Sequence, residues 1–399
     1  MRISRNRSKS WNVVKKRSRS KVRQKPEYMF TVEGGPIQGF SLSNTIKGEK
    51  CDVALRYFLT SLNELFYTCL NEISRIYLND WMLSTGNTES KIHNCLIVIS
   101  PSYLATIYIN FPTVATIVNK RISKGGIKKG EFVSKDDIGD LRQIHFPGIS
   151  LSPDCGLIYI FSVGWRKGLF FDFVPLNPQV QDQRGDLSTM LASFHSSLLF
   201  PELFHTYPAI KGKMYERGWF PFIPLLGWRL TELSAALMNN FPMEEIEIKI
   251  IDSFDKSAIH TMFEIWLRKE PFQSRQKLID NGIKKFLQGD NIGAIHILYP
   301  QIEGLLQHLT FKGQEVGKTD QLRERLTSTV KETCNEASLY LPDEFNDYLK
   351  NIFFPKIDLT GPVKLTRHTL AHGVADENEF TKVHAFQAIL ILDQIFYYI

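Results

Sequence analysis

Arg367, His368 and His372 stand close together near the C-terminus, in the run Arg367-His368-Thr369-Leu370-Ala371-His372. An imidazole ordinarily titrates near a pKa of about 6.5, so either histidine can take or return a proton in a reaction. A guanidinium keeps its charge and presents a fixed fork of N–H donors to a phosphate. On a straight helix a five-residue step turns through about 500°, leaving Arg367 and His372 about 140° apart. They converge on one group only if the helix end distorts or if two copies of the run face each other. His368 and His372, four residues apart, share a face at the spacing of a two-histidine metal pair, yet only Asp376, beyond Gly373, is near enough to serve as a third ligand. A plainer reading has both histidines capping or hydrogen-bonding inside a helical interface.

Helices must position these residues. Arg275 to Gln288 is stopped by Gly289, and the next helix, from Asn291, carries Ile295, Leu298, Ile302, Leu305, Leu306 and Leu309 as one apolar stripe, with Pro300 inside it. A third helix is expected from Thr319 to about Ser338 and a fourth from Pro342. Pro362 and Gly373 bracket a short helix of about three turns that ends in the Arg-His-Thr-Leu-Ala-His run. The final helix is expected from Glu377 to Ile399, opened by Asp376-x-x-Glu379. Between Ala385 and Ile399 only Gln387, Asp393 and Gln394 are strongly polar, so this helix must be covered on more than one side, and a second subunit is expected to supply part of the cover.

This C-terminal segment resembles the HEPN family. Arg367, the polar His368 after it and His372 match the family's Arg-x4–6-His signature, and Gln301-Ile302-Glu303-Gly304-Leu305-Leu306 is similar to the second-helix sequence of HEPN proteins from abortive-infection and toxin systems. The resemblance covers about residues 270–399. It implies an all-α bundle, a homodimer joined through the C-terminal helices, and metal-independent cleavage of an RNA substrate in bacterial defence or toxin action, with no cofactor. In that reading Arg367 holds the phosphate, His372 and His368 handle protons, and a 2′,3′-cyclic phosphate results. Glu303 has two readings: a supporting carboxylate that holds Arg367, or a solvated helix residue. The alternative function is a HEPN-like module for dimerisation or ligand binding without catalysis.

The remainder of the chain resembles no family, and the fold class expected overall is α+β: a basic arm over 1–28, a mixed domain with a β-hairpin and short helices over 29–242, a helical connector over 243–269, and the HEPN-like bundle over 270–399. Eleven Lys and Arg lie between Arg2 and Lys25 without an acidic residue; removing them from the net charge of +6 leaves −5 for the body. Basic character is therefore a property of the arm, where Arg2, Arg5, Arg7, Lys15, Lys16 and Arg17 are candidates for phosphate contacts with RNA. A solvated tail or an organellar transit peptide has the same composition.

A helix is expected within Gly39 to Trp81, from Leu55, Phe58, Leu59, Leu62, Leu65 and Phe66. The uncharged stretch Asn94 to Asn119 is long enough to raise a membrane span, but Pro101 and Pro112 divide it, and its β-branched content reads better as two buried strands or a strand and a short helix. Lys120 to Lys129 reads as a surface turn. Leu157–Val163 and Leu169–Val174 flank a glycine-bounded turn as a hairpin. Arg217-Gly218-Trp219-Phe220-Pro221 reads as an exposed aromatic loop, either stacking bases or plugging a domain edge. Five scattered cysteines without Cys-x-x-Cys spacing point to a reducing, cytoplasmic setting, no signal peptide is expected, and no metal site is assigned. The N-terminal domain is the expected place for a sensor function or an antitoxin partner. No Walker loop, nucleophile elbow or His-Glu-x-x-His occurs, which removes support for nucleotide-hydrolase, esterase and metalloprotease classes.

Overall fold

A computed structural model describes residues 28–35, 39–41, 52–88, 91–110, 114–121, 130–177, 180, 186–311, 317–334, 337–357 and 363–399. The basic arm, including Arg2, Arg5, Arg7, Lys15, Lys16 and Arg17, lies outside them. The chain divides into two compact units, one within residues 1–116 and 143–198, the other within 117–142 and 199–399.

The first unit is built on strands β1 (Tyr28–Glu33), β4 (Arg56–Thr60), β5 (Asn94–Ile99), β6 (Leu104–Ile109), β9 (Gly156–Val163) and β10 (Arg166–Asp172), in the order β1-β6-β5-β9-β10-β4 with antiparallel neighbours. The short β2 (Phe40–Ser41) and β3 (Val53–Ala54) pair with each other; β7 (Ala115–Lys120) pairs with β8 (Ile138–His145), a two-stranded ribbon that belongs mostly to the second unit. Helices α1 (Glu64–Ile73) and α2 (Asn79–Thr85), joined by a π turn over Ser74–Leu78, share an apolar core with Ile97, Ile107, Ile158, Ile160, Leu169 and Phe171 of the sheet. The opposite face is met by α3 (Leu187–Leu199), where Phe194 stacks on Phe58 and His195 on Phe161. Both faces of β9 are thus covered, which is why its sequence is almost continuously apolar.

The uncharged stretch therefore forms strands, and among the described residues no helix is long and apolar enough to cross a membrane. The hairpin forms, with a tighter turn than the expected Gly164–Gly168: the second strand already begins at Arg166, opposite Val163. Helix does not extend as far back as Leu55, however. Arg56–Thr60 is the strand pairing with β10, putting Leu59 in the α1-facing core and Phe58 against α3, and α1 starts only after Asn63, whose side chain accepts from the Leu65 N–H. The three-and-four spacing arose from a strand and a helix read as one period.

The second unit is mainly helical: α4 (Tyr207–Glu216), α5 (Trp228–Asn239), α6 (Glu244–Asp252), α7 (Lys256–Trp266), α8 (Glu270–Gln273), α9 (Gln276–Leu287), α10 (Asn291–Phe311), α11 (Thr319–Lys331), α12 (Pro342–Tyr348), α13 (Arg367–Ala371) and α14 (Lys382–Tyr398). The segment expected as a connector packs on α14 through α6 and α7, so the bundle reaches back past residue 243. Part of the expected surface turn is core: Arg121 is buried, its guanidinium donating to the carbonyls of Leu226 at 2.7 Å and Ile138 at 3.2 Å. Residues 122–129 lie outside the described set.

The aromatic loop is not exposed. Trp219 and Phe220 are fully buried, the indole N–H donating to Glu247 Oε1 at 2.8 Å and Phe220 packing among Phe222, Phe345 and Tyr348, so neither ring is available to stack a base.

Helix α14 is the axis of this unit. Every residue from Ala385 to Phe396 is buried by the chain itself. The three strongly polar side chains of this buried stretch have partners: Gln387 Nε2 donates to the Arg217 carbonyl at 2.9 Å, Asp393 Oδ1 accepts from the Trp266 indole at 2.8 Å, and Gln394 Nε2 donates to the Tyr340 carbonyl at 3.0 Å. The apolar surface that motivated a second subunit as cover is therefore already occupied. The start of this helix also differs from expectation: Asp376 caps a separate 3-10 turn, Glu377–Glu379, and Thr381 caps α14.

Candidate functional site

Helix α13 has only five residues, not three turns. Its N-cap is Thr366, whose hydroxyl accepts from the Thr369 N–H at 3.0 Å, while Thr369 Oγ1 accepts from the Thr366 N–H at 2.8 Å, a reciprocal cap with threonine in the usual Glu position. Pro362 lies outside the described residues. At the other end the Gly373 N–H reaches the Leu370 carbonyl and the Val374 N–H the Thr369 carbonyl, a Schellman ending that needs the left-handed φ of 65° at Gly373.

His372 is the C-cap and retains right-handed backbone, φ −91° and ψ −3°. The chain leaves the helical path only at Gly373, after both functional side chains are set. The end of α13 therefore does not fold Arg367 and His372 toward each other, and their directions stay divergent.

Arg367 faces α10. Its Nε lies 2.7 Å from Glu303 Oε2, with both side chains about one quarter exposed. The surrounding hexapeptide has a local physical account. Gln301 Oε1 accepts from Arg275 Nη1 at 3.0 Å, Gly304 leaves the room that the Arg275 guanidinium occupies, and Ile302, Leu305 and Leu306 are buried in the bundle. Of the two readings of Glu303, the ion pair with Arg367 is the one the structure contains. His368 is half-buried, its ring 6.3 Å from that of Phe354, and His372 is exposed. Arg367 and Glu303 are thus brought together, while His372 stands apart at the helix end. Among the described residues no three His, Cys, Asp or Glu side chains gather in a way that could hold a metal ion.

The other face of α13 borders a cavity of about 700 Å³ that the sequence did not reveal. Thr366 and Thr369 form part of its wall, with Tyr299 from α10, Tyr348 from α12 and His384 from α14; Arg367, His368 and His372 do not line it.

No protein-family model matches the chain, and comparisons with curated proteins and with solved structures gave no match.

Proposed function

We propose that this chain is a metal-independent endoribonuclease of the HEPN type, acting in the cytoplasm in bacterial defence or toxin-like RNA cleavage. The observation that supports this reading best is the Arg367–Glu303 pair, because it joins in space the two sequence segments that carry the resemblance. In the proposed reaction His372 takes the proton of a ribose 2′-hydroxyl, the 2′-oxygen forms a bond to phosphorus, and the bond from phosphorus to the 5′-oxygen breaks. His368 gives a proton to that departing oxygen, and the products are a 2′,3′-cyclic phosphate and a 5′-hydroxyl. Arg367, held by Glu303, carries the charge that builds on the phosphate. Because Arg367 and His372 diverge within one chain, the site is composed of two copies facing each other at the exposed C-terminal end of α13, with the first unit free to bind a trigger or an antitoxin.

A second reading, a module without catalysis, draws on the same ion pair: a half-buried Arg367 already neutralised by Glu303 serves the bundle as a structural tie. One experiment separates the two. Purified protein is incubated with total RNA in EDTA, beside Arg367→Lys and His372→Ala. The nuclease reading expects cleavage by the wild type alone, with cyclic phosphate ends. Intact RNA in all three, or cleavage that zinc must restore, would overturn it.

A further inference from the structure

We propose that one end of the sheet in the first unit is a docking surface for an anionic membrane, with Trp165, Leu62 and Tyr67 entering the headgroup layer and the basic arm supplying the charge. The sheet fixes the geometry. Cross-strand partners run in one row from Tyr28 through Ile109, Cys95, Ile160 and Leu169 to Leu59. On one side of that row lie the Gly164–Trp165 hairpin turn, the turn that follows β4 and the start of β1. The eleven Lys and Arg between Arg2 and Lys25 therefore join the sheet at the same end as the hairpin turn, separated from Tyr28 only by Pro26 and Glu27.

Three large apolar side chains are exposed at this end: Trp165 by 74 %, Leu62 by 57 % and Tyr67 by 56 %. They gather about a braced point. The Ser61 N–H donates to the Lys167 carbonyl at 2.9 Å, Tyr67 Oη donates to the Ser61 carbonyl at 3.4 Å, and Lys167 Nζ donates to the Ile92 carbonyl at 3.0 Å. Tryptophan and tyrosine settle at the headgroup level of a bilayer, and an aliphatic side chain beside them reaches the acyl boundary.

The turns carry little charge of their own. Arg166 and the exposed Lys91 have no carboxylate partner among the described residues, but Glu64 at the start of α1 and, in sequence, Glu89 offset them. Attraction to anionic headgroups therefore falls to the arm, which holds more cations than the four to eight or so of a typical lipid-binding basic cluster. Base stacking is the competing use of an aromatic patch beside a basic arm. Leu62 adds nothing to a stack, and one face of the Trp165 ring is already taken by the Arg166 guanidinium, 5.0 Å from its centre. The patch fits a lipid surface better.

The test is cosedimentation of the full chain with vesicles of phosphatidylcholine alone and of an equimolar mixture with phosphatidylglycerol. The mixed vesicles are expected to bind roughly tenfold more tightly or better, and added salt should weaken them. Trp165→Ala/Leu62→Ala, at exposed positions outside the core, and Lys15→Gln/Lys16→Gln/Arg17→Gln should each weaken binding by roughly tenfold. Phe241→Ala, at an exposed apolar position of the second unit, should bind as the wild type does. Lipids brominated in their acyl chains should quench the fluorescence of the wild type more than that of Trp165→Ala/Leu62→Ala. Absence of binding to mixed vesicles, equal binding to neutral ones, full binding by either multiple variant, or an equal loss in Phe241→Ala would overturn the proposal. So would a Trp165→Ala/Leu62→Ala variant that loses affinity for a single-stranded RNA and keeps it for vesicles, because these turns would then be a nucleic-acid surface. Vesicle binding does not rest on the nuclease reading, and no measurement here uses cleavage.

Discussion

Arg367 Nε lies 2.7 Å from Glu303 Oε2, and this pair ties the short α13 to the long α10. The two groups meet as an ion pair rather than through a directed hydrogen bond, since Arg367 Nε has no hydrogen-bond partner among the described residues. Glu303 therefore neutralises Arg367 and holds it against α10 by charge.

Glu303→Gln tests that role. The pair is partly exposed, so its loss should cost only about 1 kcal/mol of stability. Cleavage, if the nuclease reading holds, should fall about 10- to 100-fold, because a small misplacement of a phosphate-holding group is costly. Denaturation midpoints and initial rates measured together check this, and a rate equal to that of the wild type would show that Glu303 does not position Arg367.

Thr366→Ala removes the N-cap of a helix with few hydrogen bonds of its own. A stability loss of about 1 kcal/mol is expected, with Thr366→Ser nearly neutral because the hydroxyl is retained. Equal melting temperatures for the two variants would contradict the capping role.

Much of the bundle was legible in the sequence because helix ends are written locally: Gly289, Pro342 and Gly373 stand where the structure ends or begins helices. The hairpin was legible for the same reason. What failed depended on distant partners. Phe58 and Leu59 point to opposite faces of a sheet in which their partner strand, β10, lies more than 100 residues away, and a local period cannot show that. Trp219 looked exposed because its partner, Glu247, lies beyond a further helix, and Arg121 looked like surface because the carbonyls it needs belong to Leu226 and Ile138. In α14 the apolar surface was read correctly and its cover was not: other helices of the same unit, among them α6, α7, α9, α10 and α11, contribute partners that no single segment announces. At the site, spacing predicted the divergence of Arg367 and His372, and the resemblance offered Glu303 as a partner. The cavity behind Thr366 left no mark, since threonine, tyrosine and lysine are ordinary on helices.

Leu390→Ala follows from the burial of α14. Leu390 is fully buried, and truncating it should cost about 2–5 kcal/mol. Because the cover is the chain's own, the variant should keep the assembly state of the wild type in sedimentation under native conditions. A folded variant that dissociates to smaller species would restore α14 as a subunit interface.

Asp393 gives the unit a pH dependence whose sign is fixed. Burial raises its carboxyl pKa from the ordinary 3.8 to about 7, against the lowering effects of the Trp266 hydrogen bond and the charge of Arg121. Between those values the folded chain holds a proton that the unfolded chain has released. This contribution to stability is therefore best below about pH 4, falls as pH rises through the interval, and levels off above about pH 7. At about 1.4 kcal/mol per pKa unit the total is on the order of 4 kcal/mol. Asp393→Asn keeps an oxygen to accept from Trp266 and removes the titration. The variant should match the wild type near pH 4.5 within about 1 kcal/mol and exceed it by about 2–4 kcal/mol at pH 8. Burial lowers the His195 pKa to about 4 in the first unit, so its contribution has the opposite slope, lost as pH falls from about 6.5. That term is common to both proteins and cancels in the difference, so urea denaturation of the pair across pH isolates Asp393; parallel curves for wild type and variant would show that this carboxyl does not titrate in the interval.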